Sequence, residues 1–261
     1  MVRMSGQERL EKVRDYVLAH GTVRTEELST EFNVSLMTVH RDLERLAQEG
    51  WLRRVHGGAS AERSVLFESN IRFRALENPD LKARVARLAA DTVQPGQAVL
   101  LDDSTTGLAV ARELLARGEP WTAITNANHV VHAIAGQPSV DLIVLGGLYH
   151  PSADACFGGN TVAMLSSLYA DVAFMSTSAV TLGQCFHQVP DSIAIKRAML
   201  TSAERSVLLI DHSKLSKHAL HRFASVSEFD AVVVDDGIGA EELAGLRDCL
   251  DEVYVAADEV S

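Results

Sequence analysis

The sequence has little cysteine: three residues in 261, Cys156, Cys185 and Cys249, far apart and with no C-x-x-C pair. An odd number so spaced excludes a disulfide framework and a zinc ribbon, which leaves core or surface thiols. Long apolar runs are missing too. No stretch approaches the ~18 residues of a membrane-spanning helix, and residues 1–12 carry charges where a secretory leader would need an apolar segment. These absences predict a cytoplasmic protein with no membrane partner. Compositional bias is also lacking, since 47% hydrophobic and 23% charged residues exclude collagen-like, mucin-like and wholly disordered chains. The length allows one large domain or, more naturally, a small one followed by a medium one.

There is no excess of positive charge either, because the net charge is −11. That excludes a whole-surface nucleic-acid binder. The charge is unevenly spread, however. Residues 1–78 hold 12 Lys+Arg against 12 Asp+Glu, whereas residues 79–261 hold 12 against 23 and carry the whole surplus. Only the N-terminal part can approach a phosphate backbone. Within it Glu26, Glu27 and Glu31 come early, and Arg41, Arg45, Arg53, Arg54 and His56 come late, so a basic face can form there.

Leu10, Val13, Val17 and Leu18 recur at a helical period, which predicts a helix over 7–20 ended by Gly21. Thr25 reads as the N-cap of a short second helix over 26–32, with two glutamates at the positive end of its dipole. After a turn at Asn33-Val34, Ser35 caps a third helix in which Val39, Leu43 and Leu46 form the buried stripe and Gly50 the stop. Two helices joined by a turn of about three or four residues, the second carrying arginine outward, are the arrangement of a helix-turn-helix. The first residues past the cap meet base edges in such a motif. Met37, Thr38, His40 and Arg41 are therefore candidates for major-groove contact, and Ser35 and Arg45 for phosphate contact. Residues 51–55 read as a strand and His56-Gly57-Gly58 as a turn, so Arg53, Arg54 and His56 belong to the wing of a winged helix-turn-helix. Three amphipathic helices with scattered arginines also suit a protein-binding or dimerising bundle.

Residues 60–79 lack a sustained period and mix charge with Phe67, Ile71 and Phe73, as a docking connector does. The expected division is a DNA-binding domain at 1–60, a connector at 61–78 and an α/β domain at 79–261. In the last, short β-rich runs at 98–101, 122–125, 142–145, 172–175, 206–210, 231–234 and 253–255 alternate with helical stretches at 81–93, 107–117, 128–135, 161–169, 192–203 and 241–250. Such alternation, with strands apolar on both faces, predicts a mainly parallel sheet covered by helices.

Small polar residues follow the strands: Asp102-Asp103-Ser104-Thr105-Thr106-Gly107, Thr125-Asn126, Gly146-Gly147, Ser176-Thr177-Ser178, Asp211-His212-Ser213-Lys214 and Asp235-Asp236. In an open parallel sheet these loops share one edge, where ligands bind. Ser104, Thr105 and Thr106 at a helix start offer hydroxyls and N–H groups to an anion such as phosphate, and Lys214 could supply the counter-charge. Each has a plainer reading as a helix cap, a turn or a solvated lysine, and only the shared position after strands favours the joint one. His187, His212, His218 and His221 lack the i, i+4 pairing with a carboxylate that marks a metal helix, so neither metal nor cofactor is expected.

The run Val34-Ser35-Leu36-Met37-Thr38-Val39-His40-Arg41-Asp42-Leu43-Glu44-Arg45-Leu46, with Glu49-Gly50 and Arg54-Val55-His56-Gly57-Gly58-Ala59 after it, resembles the N-terminal signature of the DeoR family of bacterial transcription regulators. Leu101-Asp102-Asp103-Ser104-Thr105-Thr106, Thr125-Asn126, Gly146-Gly147, Phe157-Gly158, Asp171-Val172-Ala173-Phe174, Ile195-Lys196-Arg197-Ala198-Met199 and Asp211-His212-Ser213-Lys214 resemble its C-terminal effector domain, which looks like ribose-5-phosphate isomerase. The resemblance covers nearly the whole chain. It implies a ligand-responsive regulator, a repressor of a metabolic operon, bound as a homo-oligomer (dimer or tetramer) to double-stranded operator DNA and controlled by a phosphorylated sugar or related metabolite. It also implies an effector pocket at or near Asp102, Ser104, Thr105, Thr106, Thr125, Asn126, Gly146, Gly147, Asp191, Lys196 and Lys214.

Three departures stand out. His40-Arg41 replaces two successive basic residues, and a histidine there changes which base or phosphate is contacted. Ser176-Thr177-Ser178-Ala179-Val180 replaces a glycine-containing loop, and Pro190-Asp191-Ser192 replaces an acidic Glu. The rival reading is a sugar-phosphate isomerase-like enzyme with an accessory helix-turn-helix, which would need a general base among Asp102, Asp103 and Asp191. The acidic cluster that marks the isomerase is not evident, so no catalytic residue is expected.

Overall fold

The computed structural model describes residues 5–60, 70–215 and 217–257. The chain divides into two units, Met1–Arg74 and Ala75–Ser261. In the first, α1 (Gly6–His20) is followed by β1 (Thr22–Arg24), α2 (Thr25–Glu31), α3 (Leu36–Gln48), β2 (Arg53–Val55) and β3 (Gly58–Ser60). The helical spacing of Val39, Leu43 and Leu46 turns one face of α3 onto Val13, Val17 and Leu28, which form one buried cluster with it. Ser35 caps α3 as expected, accepting the Thr38 amide at 3.2 Å. The Arg9 guanidinium reaches from α1 to buried Asp42 on α3, with Nε at 2.7 Å and Nη2 at 3.2 Å.

Thr25 does not cap α2. Arg24 holds the cap position, Thr25 is the first helical residue, and its hydroxyl donates to the Gly57 carbonyl at 3.0 Å. The reason is β1, which occupies the residues before α2 and pairs antiparallel with β3 to give a three-stranded wing of order β1-β3-β2. Three residues are too few to show a period of two, so β1 has no sequence signal. Gly58 is where the wing closes: a Cβ there would lie 2.0 Å from the Val23 carbonyl oxygen, a distance only glycine avoids. Of the expected connector, residues 61–69, with Phe67, lie outside the described residues, and α4 (Ile71–Leu76) follows.

The second unit is built on seven strands: β4 (Ala98–Leu101), β5 (Trp121–Thr125), β6 (Val140–Val144), β9 (Ala170–Ser176), β12 (Ala203–Ile210), β14 (Ala231–Asp235) and β15 (Val253–Ala256). Their order is β15-β14-β12-β9-β4-β5-β6, and every pairing is parallel. Side chains alternate between two cores. Val99, Leu101, Phe174, Val207 and Leu209 face the helices α5 (Pro79–Ala90), α6 (Thr105–Arg117) and α7 (Asn128–Ile134). Leu100, Met175, Leu208, Ile210 and Val232 face α8 (Gly159–Leu165), α9 (Pro190–Thr201) and α10 (Ala240–Arg247). Burial on both faces explains the continuous apolar strands.

The chain starts in the middle of this sheet at β4, winds outward through β5 and β6, and returns on the other side of β4 at β9. The order therefore reverses between β4 and β9, the position at which open parallel sheets leave a crevice beyond their carboxyl ends. Two small antiparallel sheets accompany it: the hairpin β7 (Leu148–His150) and β8 (Ala155–Phe157), and a group of β10 (Ala179–Thr181), β11 (Gln184–His187) and β13 (His221–Ser225). No helix among the described residues is long and apolar enough to cross a membrane.

The Arg9–Asp42 pair links α1 to α3 through a largely desolvated carboxylate. Asp42→Ala is expected to destabilise the N-terminal unit by about 2 kcal/mol, read as a lower urea midpoint for that unit in circular dichroism.

Candidate functional site

On α3 the structure exposes Met37, His40, Arg41 and Arg45 of the side chains that the sequence nominated for DNA, and leaves Thr38 half-buried. Met37 is 74% exposed, and His40 and Arg41 stand exposed one turn further on. The Thr38 hydroxyl is engaged with the Ser35 hydroxyl at 2.9 Å, so both serve the cap. Arg45 is exposed but pairs with Glu49 at 2.9 Å and reaches Gln7 at 3.4 Å. In the wing Arg53 and His56 are exposed, and Arg54 bonds to His40. Exposed Leu36 beside Met37 adds an apolar surface of the kind that meets thymine methyl groups.

The second cluster lies beyond the carboxyl ends of β4 and β9. Lys196, on α9, is 1% exposed. Its ammonium is bonded to the Asp102 carboxylate, donates to the Ser176 carbonyl at 2.9 Å, and lies 3.8 Å from Asp103. Asp102 is held from three directions, because its second oxygen accepts the Ser104 amide at 3.0 Å while the first also accepts the Ser176 amide at 2.8 Å. Ser104 caps α6, taking the Gly107 amide at 2.8 Å. Of the N–H groups around this helix start, those of Ser104 and Gly107 are thus engaged within the protein.

Thr125 and Asn126, after β5, are buried and bonded inward: the Thr125 hydroxyl accepts the Ala127 amide at 3.1 Å, and the Asn126 side chain donates to the Cys156 carbonyl at 2.9 Å. After β6 the Gly146 carbonyl accepts the Thr161 hydroxyl at 2.9 Å, and a Cβ at Gly147 would sit 2.1 Å from that hydroxyl. The glycine pair therefore answers to close packing. Asp191 is exposed, with the His150 ring 3.9 Å away, and does not join the Lys196 cluster. Ser192 does, aiming its hydroxyl at both Asp103 oxygens at 3.4 Å.

Beyond β12 a further set gathers around Asp211. Asn78, in a left-handed conformation with φ 46°, donates to Asp211 at 3.3 Å and to Ser213 at 3.0 Å. His212 ties the loop to the end of β14 through Asp235 at 2.6 Å. Burial would raise the Asp211 carboxyl, but the charges of Lys214, Lys82 and Lys217 and the Ser213 hydroxyl outweigh it and hold Asp211 below its ordinary 3.8. Asn78, Lys82 and Lys217 carry no local signal, since the chain brings them to Asp211 only through the fold. Elsewhere, burial pushes the Cys185 thiol up to about 12, which makes it an inert core group.

The DeoR-like helix-turn-helix domain is matched over residues 9–65, and the DeoR C terminal sensor domain over residues 77–236. The chain belongs to the DeoR family. Among relatives of this DeoR-family chain, the HTH-type transcriptional regulator IolR of Bacillus subtilis (strain 168) is 30% identical, covering 89% of this chain and 92% of that protein. The lactose phosphotransferase system repressor of Lactococcus lactis subsp. lactis is 28% identical, with 92% and 95% covered. The L-fucose operon activator of Haemophilus influenzae is 29% identical, with 86% and 90% covered. Among solved structures, ribose 5-phosphate isomerase A of Methanocaldococcus jannaschii matches at a TM-score of 0.40 and 19% identity, over 53% of this chain and 55% of that one, a likeness too remote to bear on activity.

This DeoR-family chain is a DNA-binding transcription regulator and not an enzyme. Both Asp102 oxygens are taken by protein donors.

Two outcomes follow from these charges. Lys196→Met leaves Asp102 and Asp103 buried without their cation and is expected to cost the C-terminal unit about 3–5 kcal/mol, seen as a lowered thermal midpoint. Asp211 has a folded pKa below its unfolded value, so its stabilisation is present above pH about 3.8 and is lost as pH falls through the lower folded value. The stability gap between the wild type and Asp211→Asn, followed by urea titration from pH 7 downward, is therefore expected to close below that pH.

Proposed function

We propose that this regulator represses a metabolic operon and is released or engaged by a phosphorylated sugar bound beyond the carboxyl ends of β4, β9 and β12. The observation that carries the reading is the gathering of buried hydroxyl, amide and carboxylate groups at the reversal of strand order, beside the lysines around Asp211. The unit as a whole is acidic, so lysines drawn to one sheet edge supply a local counter-charge for phosphate. In this assignment the start of α6 at Thr105 and Thr106, with Lys214, takes the phosphate. Asp102, Ser104, Thr125 and Asn126 shape the sugar end, and the Gly146-Gly147 turn forms a wall. Lys196 acts from beneath by holding Asp102, and Asp191 lies on the outer rim.

The DNA side rests on α3 and the wing. Ser35 and Arg45 take phosphates, while Met37, Thr38, His40 and Arg41 face base edges, with Arg53, Arg54 and His56 at the wing. The protein works in the cytoplasm as a homo-oligomer, dimer or tetramer, because two half-sites need two recognition helices. Control requires that the effector bind the DNA-competent and incompetent forms unequally.

Fluorescence anisotropy on DNA from the protein's own upstream region, at two salt concentrations and with a panel of phosphorylated sugars, tests this. Tight binding that weakens with salt and shifts at least tenfold with one panel member is the expected result, with Arg41→Ala weakening binding by about tenfold or more. Specific binding that no panel member alters removes the sugar-phosphate assignment. An Arg41→Ala variant with undiminished affinity removes Arg41 from the base-reading set.

A further inference from the structure

His40 is the residue at which this chain departs from two successive basic residues, and the wing bonds to it twice. Arg54 Nη2 lies 3.0 Å from His40 Nδ1, and Arg54 Nη1 donates to the His40 backbone carbonyl at 3.3 Å. A guanidinium has five N–H donors and no acceptor. His40 Nδ1 must therefore accept, and the single proton of the neutral ring resides on Nε2. Two contacts from one planar fork, to ring and backbone of the same residue, fix the ring's orientation together with its tautomer. Among the described residues His40 Nε2 has no partner, and the side chain is exposed on α3.

We propose that Arg54 sets His40 as a one-way hydrogen-bond donor, so that His40 selects an acceptor on a base edge in the operator. The proposal rests on the DNA-binding role of α3 and specifies what that helix reads. A neutral histidine free to change tautomer could meet either a donor or an acceptor, and would discriminate poorly. Locked by Arg54, it suits N7 or O6 of guanine, N7 of adenine or O4 of thymine, and it mismatches the amino groups of cytosine and adenine. Arg54 is a positioning residue here: it acts through His40, and its guanidinium faces the recognition helix.

The test uses the full-length protein labelled with 15N-histidine at pH 8, with His40→Ala to assign the ring signals. Wild type is expected to show a proton-bearing Nε2 and a bare Nδ1 for His40; Arg54→Met mixes the two tautomers, and Arg54→Lys, which keeps a donor, restores the wild-type pattern in part. In parallel, each protein selects from a randomised operator pool that is then sequenced. His40→Ala is expected to flatten one base position per half-site by about tenfold, and Arg54→Met to flatten the same position. A proton on Nδ1 in the wild type overturns the proposal, as does an Arg54→Met variant that keeps its full preference there. If the wild type selects no sequence at all, the DNA-binding reading falls and base selection by His40 falls with it, whatever the ring nitrogens show.

Discussion

A lysine ammonium with 1% exposure cannot remain charged without partners, and in the C-terminal unit Lys196 obtains them from both sides of the strand reversal. Asp102 belongs to the loop after β4 and the Ser176 carbonyl to the end of β9, so one cation fastens the two strands between which the sheet changes direction. Asp102 in turn holds the Ser104 and Ser176 amides, and Ser104 caps α6. The arrangement of the loops at the strand reversal is thus a consequence of pairing a buried charge. Bringing α9 onto the sheet through Ile195 and Met199 supplies the apolar burial that offsets the desolvation of that charge.

The N-terminal unit uses the same device on a smaller scale. Asp42 lies on the inner side of α3, and Arg9 binds it in a bidentate fork, which suits a planar guanidinium and would not suit a lysine. With the inner face so held, the outer face of α3 is left to Met37, His40 and Arg41. The wing is closed by strand pairing that admits no side chain at Gly58, and the Thr25 hydroxyl fixes its turn to α2. Recognition in such a unit depends on rigid presentation, because each base edge offers its own fixed pattern of donors and acceptors.

Much of this was legible in the sequence, for physical reasons. The five central parallel strands announce themselves because both faces are buried, so β9 and β12 read as continuous apolar runs between polar loops. The N-cap at Ser35 was legible because capping is local chemistry. Thr25 misled because the same hydroxyl that caps a helix elsewhere is here recruited by the wing turn, a contact 32 residues away. The strands β7, β8, β10, β11 and β13 are three to five residues long, too short for a run or a period of two to stand out in the sequence. Burial of Lys196 contradicts the ordinary habit of lysine, and only the family resemblance pointed to it. That Ser192 rather than Asp191 turns toward Asp103 follows from the phase of α9, which places adjacent residues about 100° apart.

The central claim is that the loops beyond β4 and β12 form the proposed effector site of a DNA-binding regulator. Hydrogen–deuterium exchange of the full-length protein, with and without a phosphorylated sugar that changes its DNA affinity, tests this most directly. The account predicts slowed exchange in the C-terminal unit that includes the loops at 102–107 and 211–214. A sugar phosphate that alters DNA binding while leaving both loops unchanged would contradict it.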